Sequence, residues 1–170
     1  MDGLVHESTL SGVQMIYGAG ISDLEVRAAG SEVYLYSASR AGGGMSVFRL
    51  APGQDAELID EHSLSARSAV LGGPVRLSVL DVAEQTLLVP TGRLDQALPA
   101  LQLGPQGGVS GVSALDDASG FSGDVMNMLI LDLPDGPMLY AAIRGQAGPS
   151  GFRVGGDLSL SPGPAAEVSG

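Results

Sequence analysis

A β-hairpin pattern recurs three times along this chain of 170 residues, and the recurrence limits the folds available to it. Arg40, Arg93 and Arg144 each follow a stretch in which apolar residues alternate with small or polar ones, and they lie 53 and 51 residues apart. The same spacing separates three large apolar residues of the next stretch: Phe48, Leu101 and Phe152. A fixed period of this length is typical of repeat architectures. The sequence therefore predicts three similar structural units.

The first copy of the hairpin, residues 33–50, reads VYLYSASRAGGGMSVFRL. Its two alternating halves are predicted antiparallel strands, and the three glycines between them supply the positive φ angles that a tight connection needs. The second copy is predicted at 86–91 with 98–103, and the third at 138–144 with 151–154. Pro90 and Pro99 interrupt the second copy, which predicts edge or irregular strands there.

Two more strands complete each unit. One precedes each hairpin: 23–26, 75–81 and 126–132. The other is predicted to open each unit, because residues 58–64 match residues 4–10 at an offset of 54. The corresponding segments of the later units are 111–115 and 157–160. The predicted domain is 1–160, with three repeats of about 1–54, 55–108 and 109–160, followed by a linker or disordered tail at 161–170.

The composition favours an all-β protein. Glycine (26 residues) and proline (10) are abundant, and lysine, a helix-favouring residue, is absent. A net charge of -11 repels phosphate backbones, so we expect no nucleic-acid partner. The longest apolar segment, 126–133, is too short to cross a bilayer. Because the N-terminal residues lack the pattern of a signal peptide, we expect either a cytoplasmic location or secretion without a classical signal.

The string YLYSASRAGGGMSVFRLAPGQDAEL, from Tyr34 to Leu58, resembles the blade signature of the lactonase-like, YVTN-type β-propellers. The third copy, LYAAIRGQAGPSGFRV, resembles it less closely, and the second copy is degenerate. The resemblance implies four-stranded antiparallel blades. Since propellers have four to eight blades, three units imply an incomplete ring, completed by further blades of a longer chain or by self-association. A β-trefoil, which also has three repeats of four strands, stays an alternative fold.

The repeated arginines are the first candidate site. In a propeller, Arg40, Arg93 and Arg144 would gather on one rim, where guanidinium groups bind carboxylate or phosphate ligands. The competing interpretation, which we favour, is that each arginine pairs with a nearby acid or turn carbonyl. Asp81 and Asp132 recur at the ends of equivalent strands and are candidate Ca²⁺ ligands, although turn-closing residues are the favoured assignment. No other cofactor is predicted.

No catalytic motif accompanies these residues. Serines in glycine-rich surroundings never complete a G-x-S-x-G nucleophile elbow, and phosphate-binding and zinc motifs are absent from the sequence. The sequence therefore favours a non-catalytic binding or structural module with a protein partner. The alternative, a lactonase-like hydrolase acting on a sugar lactone, is implied by the family resemblance alone, and fold does not determine function.

Overall fold

The computed structural model describes residues 15–64, 70–94, 98–117 and 123–163, with the backbone alone for strand residues 70–75, 93–94, 116–117 and 123. Twelve strands lie in this part of the chain, and no helix does. In order they are β1 (Ile21–Ala29), β2 (Glu32–Ser39), β3 (Gly44–Leu50), β4 (Glu57–Ser63), β5 (Val70–Val82), β6 (Gln85–Leu94), β7 (Leu98–Leu103), β8 (Val109–Asp117), β9 (Gly123–Leu133), β10 (Gly136–Ile143), β11 (Ser150–Val154) and β12 (Ser159–Pro162). The all-β prediction is confirmed.

The strands form three antiparallel sheets of four, each ordered as in the chain. We call β1–β4 sheet 1, β5–β8 sheet 2 and β9–β12 sheet 3. Two short pairings, antiparallel β6 with β9 and parallel β8 with β12, join sheets 2 and 3 into one continuous eight-stranded sheet. The three predicted hairpins are β2–β3, β6–β7 and β10–β11, and all three are confirmed.

The glycine cluster closes the first hairpin as predicted. Gly43 adopts φ +70, and its N–H donates to the carbonyl of Ser39 at 2.9 Å. The turn between β5 and β6 achieves a similar geometry without glycine, because Ala83 and Glu84 adopt φ +47 and +64. Two successive positive φ angles are typical of the turn that matches the twist of antiparallel strands.

The second hairpin is irregular at its prolines, as predicted. β6 pairs with β7 at two positions only, where Leu87 and Leu88 face β7. Pro90, which cannot donate a ladder hydrogen bond, follows two residues after Leu88. Beyond it, β6 turns toward sheet 3, and Arg93 pairs with Asp124 of β9. The proline therefore lies where the strand changes its partner.

Two apolar cores lie between the sheets. The first lies between sheets 1 and 2 and contains the buried residues Tyr34, Tyr36, Ala38, Met45, Val47, Leu64, Leu77, Leu88 and Leu101. The second lies between sheets 2 and 3 and contains Leu80, Val82, Leu87, Val89, Leu98, Ala100, Leu115, Val125, Met128, Leu139, Ala141, Val154 and Leu160. The sheets thus pack face to face, each covering a flank of the next.

One strand assignment is wrong. Residues 58–64 were expected to open the second unit, but they fall on β4, the last strand of sheet 1, which pairs with β3 from Gly44↔Ser63 onward. Segments 111–115 and 157–160 likewise fall on the last strands, β8 and β12. The short connection 51–56 returns the chain directly against β3, which a period in sequence cannot reveal. Residues 4–10 lie outside the described residues, and the repeat boundaries near 54 and 108 stay a prediction.

Candidate functional site

The three arginines occupy equivalent corners of the three sheets. The backbone N–H of Arg40, just after β2, donates to the carbonyl that precedes β1, at 3.1 Å. The backbone N–H of Arg144, just after β10, donates to the carbonyl of Asp124 in β9, at 2.9 Å. Arg93, near the end of β6, pairs with Leu71 in β5. Each arginine thus lies where the second strand of its sheet ends beside the beginning of the first.

The arginine side chains do not share one environment. Arg144 donates from Nε to Oδ2 of Asp124 at 2.9 Å, and from its terminal nitrogen to the sulfur of Met126 at 3.1 Å. The Arg40 side chain is exposed and makes no hydrogen bond or ion pair with any described residue. The side chain of Arg93 lies outside the described part. An exposed pair such as that of Arg144 contributes about 0–1 kcal/mol, and it matches the structural interpretation for this arginine.

Asp81 and Asp132 are the penultimate residues of the first strands of sheets 2 and 3. Asp81 Oδ1 accepts hydrogen bonds from Arg27 of sheet 1 at 3.1 Å and from Thr86 at 2.5 Å. Asp132 is exposed and pairs with Pro137 in the ladder between β9 and β10. Across residues 15–64, 70–94, 98–117 and 123–163, no group of three histidines or acids is placed to hold a metal ion. The Ca²⁺ role of the two aspartates stays a prediction.

Two aspartates of sheet 1 bind the backbone of sheet 2 at its opposite edges. Asp23 Oδ2 accepts the N–H of Leu77 in β5 at 2.8 Å, and Asp60 Oδ2 accepts the N–H of Val109 in β8 at 2.8 Å. Charged acceptors make hydrogen bonds stronger than neutral ones do. Because β5 and β8 are the first and last strands of their sheet, these bonds align the two sheets at both edges.

A buried tyrosine also links sheet 1 to sheet 2. The Tyr36 hydroxyl donates to the carbonyl of Gly107, in the turn between β7 and β8, at 3.1 Å. Burial raises the pKa of Tyr36 to about 12, with a smaller opposing effect of Arg27 and a further increase from Tyr34. Gly107 adopts φ +76, and a Cβ built on it would overlap the ring of Tyr34. Only glycine fits this position.

Beside this turn, a polar cleft of about 480 Å³ opens between sheets 1 and 2. It is lined by Glu32, Tyr34, Arg49, Glu57, Ile59, Asp60, Pro105, Gln106 and Gly108. Arg49 bonds the Glu57 carboxylate, and this hydrogen bond raises the pKa of Arg49. Three acids against one arginine give the cleft a negative potential, which favours cations. Sequence reasoning missed the cleft because its residues come from two sheets and share no motif.

The first strand of each end sheet exposes apolar side chains on the outer face of that sheet. In sheets 2 and 3, we call the side that faces the preceding sheet the leading face and the opposite side the trailing face. The same names are used for the matching sides of sheet 1. On β1, Asp23 and Arg27 contact sheet 2, so the alternate residues Leu24 and Val26 lie on the leading face of sheet 1. They are 56% and 57% exposed.

The trailing face of sheet 3 carries the second exposed patch. It is formed on β9 by three leucines, all exposed: Leu129, Leu131 and Leu133. Their neighbour Met128 points the other way, into the core shared with sheet 2. Each end of the row of sheets therefore presents apolar side chains on its first strand.

One comparison with known structures bears on this arrangement. The chain superposes on an exo-β-1,3-galactanase from Phanerochaete chrysosporium, a five-bladed β-propeller crystallised with β-1,3-galactotriose, with a TM-score of 0.55 and 14% sequence identity. The match covers 84% of this chain and 36% of the galactanase chain. The chain has a β-propeller-type fold. Its three sheets are blades of an incomplete ring, so this fold replaces the β-trefoil alternative.

The resemblance extends to the fold and no further. At 14% identity the galactanase says nothing about the chemistry of this chain, which spans about a third of the length of that protein. No protein-family model matches the sequence, and no curated protein does. The lactonase-like, YVTN-type assignment is therefore not established. Among the described residues, no helical segment has the length and apolarity of a membrane span.

Proposed function

We propose that this chain is a non-catalytic binding or structural module of propeller type, which works by packing its two end faces against further protein blades. The supporting observation is a difference in burial at matching positions. Leu24 is 56% exposed, whereas Leu77, 53 residues later at the same place in sheet 2, is 4% exposed. Sheet 1 covers Leu77, and no described sheet covers Leu24.

The same difference holds at the other end. Leu131 and Leu133 are 39% and 44% exposed, whereas Leu80 and Val82, 51 residues earlier in sheet 2, are 0% and 7% exposed. Sheet 3 covers Leu80 and Val82. Contiguous apolar surface of this kind marks protein interaction sites in soluble proteins. The exposed positions Leu24, Leu131 and Leu133 thus match positions that are buried inside the row, and no described sheet packs against them.

Charged substitutions on the end faces test the proposal. We expect the wild-type chain to bind the apolar dye ANS or to self-associate, and we expect Val26→Lys and Leu131→Glu to reduce both. Val112→Lys is the matched control, because Val112 is 50% exposed but lies on β8 of the middle sheet. ANS fluorescence and light scattering are the measurements. Equal behaviour of the wild type and all three variants would contradict a role for the end faces.

A lactonase-like hydrolase is the second candidate, supported by the sequence resemblance of residues 34–58 and by the equivalent positions of the three arginines in their sheets. It predicts that the chain binds a sugar lactone and that replacing Arg40, Arg93 and Arg144 together with alanine abolishes binding. Isothermal titration of a lactone into the wild-type protein and into the triple variant decides this. Binding that survives in the triple variant removes the arginine site.

A further inference from the structure

The two end faces of this chain complement each other. We infer that their occupant is a second copy of the same chain, with sheet 3 of each molecule packed against sheet 1 of the other, so that two chains complete a ring of six blades. The inference rests on the proposed function and names its partner. It follows from the joints already present within one chain.

The joint between sheets 2 and 3 shows what such a contact requires. There the trailing face of sheet 2 brings Leu80 and Val82 against the leading face of sheet 3, which contributes Met128 and Ile130. Aliphatic side chains from two first strands meet, and water is excluded. In this contact, the trailing face of one blade packs against the leading face of the next blade.

Each of the two end sheets of the chain carries one half of such a contact. On the trailing face of sheet 3, Leu131 and Leu133 stand where Leu80 and Val82 stand in sheet 2. On the leading face of sheet 1, Leu24 and Val26 stand 53 residues before Leu77 and Val79, which pack in the core between sheets 1 and 2. A trailing and a leading face on one molecule specify head-to-tail association, which continues the joints already formed.

The number of sheets lets the association close. Two chains supply six sheets, which lies within the four to eight blades that propellers contain. In a closed ring each molecule uses both of its end faces once, so neither patch stays exposed to water. A partner with a different sequence would have to reproduce both halves, whereas a second copy supplies them already.

The leading face of sheet 1 is covered on one side only. The Glu61 carboxylate of β4 accepts the backbone N–H of Ile16 at 2.8 Å, and the ring of Tyr17 lies against Gly44 of β3. The chain before β1 thus covers the β3–β4 side, while Leu24 and Val26 on β1 stay exposed. We therefore expect the contact between copies to centre on the first strands, β1 of one molecule and β9 of the other.

A charge-complementation experiment tests the orientation as well as the association. Val26→Lys places a cation on the leading face, and Leu131→Glu places an anion on the trailing face. In a closed head-to-tail pair each variant alone damages both joints. In an equimolar mixture one joint is unmodified and the other has lysine opposite glutamate. We expect wild type at twice the 17.1 kDa of one chain, each variant alone as a monomer, and the mixture again as a dimer.

Light scattering coupled to size exclusion gives the masses at up to roughly 100 µM, where even a micromolar dimer is populated. Val112→Lys should stay dimeric, and matching circular dichroism spectra show that the variants are folded. A wild-type monomer, an open polymer, or a Leu131→Glu variant that alone stays dimeric would each overturn the inference. If the wild type is monomeric but both variants still bind less ANS than it does, the inference of a second copy is overturned and the proposed function stands.

Discussion

Replacing Gly107 with alanine tests how sheets 1 and 2 are held together. The residue adopts φ +76, which costs a side-chain-bearing residue about 1–2 kcal/mol. Its Cβ would also overlap the buried ring of Tyr34, and overpacking of this kind costs about 1–3 kcal/mol more. The total expected loss in the free energy of unfolding is about 2–5 kcal/mol.

Gly53 provides the matched control. It adopts φ +70 in the turn between β3 and β4, and a Cβ there meets nothing within 4 Å. Gly53→Ala should therefore carry the backbone cost alone. We expect Gly107→Ala to be less stable than Gly53→Ala by about 1–3 kcal/mol, or roughly 2–12 °C in Tm for a chain of this length. Urea unfolding and thermal melts measure the difference.

A double-mutant cycle assigns the extra cost to one contact. Tyr34→Ala removes the ring that the new methyl group would meet, so its cost should be smaller in the Gly107→Ala background than in the wild type. The expected coupling energy is about 1–3 kcal/mol. If Gly107→Ala and Gly53→Ala were equally stable, or if the coupling were zero, the close packing of this turn under Tyr34 would be refuted.

Four further substitutions, at three positions, probe single polar groups. Asp60→Ala removes the acceptor of the Val109 N–H and should cost about 1–2 kcal/mol by urea unfolding, whereas Asp60→Asn, which keeps an oxygen acceptor, should cost less. Thr91→Val should raise stability by about 1 kcal/mol, because the buried Thr91 Oγ1 has no hydrogen-bond partner among the described residues; an unchanged or lower urea midpoint would contradict this. Burial, with a smaller effect of Asp23, raises the pKa of Glu25, so folding favours its protonated form and stability falls as pH rises through that pKa. Glu25→Gln should therefore be more stable than wild type at pH 7 and equal to it near pH 3.5, below the usual glutamate pKa of about 4.3. A gain in stability of the same size at both pH values would contradict a raised pKa of Glu25 as its cause.

Local signals carried the prediction of the hairpins. Alternation of apolar residues and the glycines before Met45 act within one strand pair, so the sequence shows them directly. The proline signal worked for the same reason, since Pro90 lacks a ladder donor wherever it lies in the sheet. The turn at Ala83 and Glu84 was not visible, because its positive φ angles occur without glycine and are imposed by the strands on either side.

Contacts between sheets were beyond local reasoning. The bonds of Asp23 and Asp60 to sheet 2 join residues 54 and 49 positions apart, and no spacing rule links them. The cleft beside Gly107 was missed because two sheets line it. For the arginines, the period indicated only that one of them recurs at the end of a hairpin strand in each unit. The period could not predict that the Arg144 side chain pairs with Asp124, since this pairing depends on which residue of the neighbouring strand lies beside the arginine.

The sequence by itself determined three copies of a short-stranded unit, because alternation, turns and period are properties of neighbouring residues. Only the tertiary structure decided which strand completes each sheet and which apolar faces stay open. Leu24 and Leu77 read alike in the sequence, yet one is 56% exposed and the other 4%. The difference comes from whether another sheet covers the residue, and burial is a property of the assembled sheets.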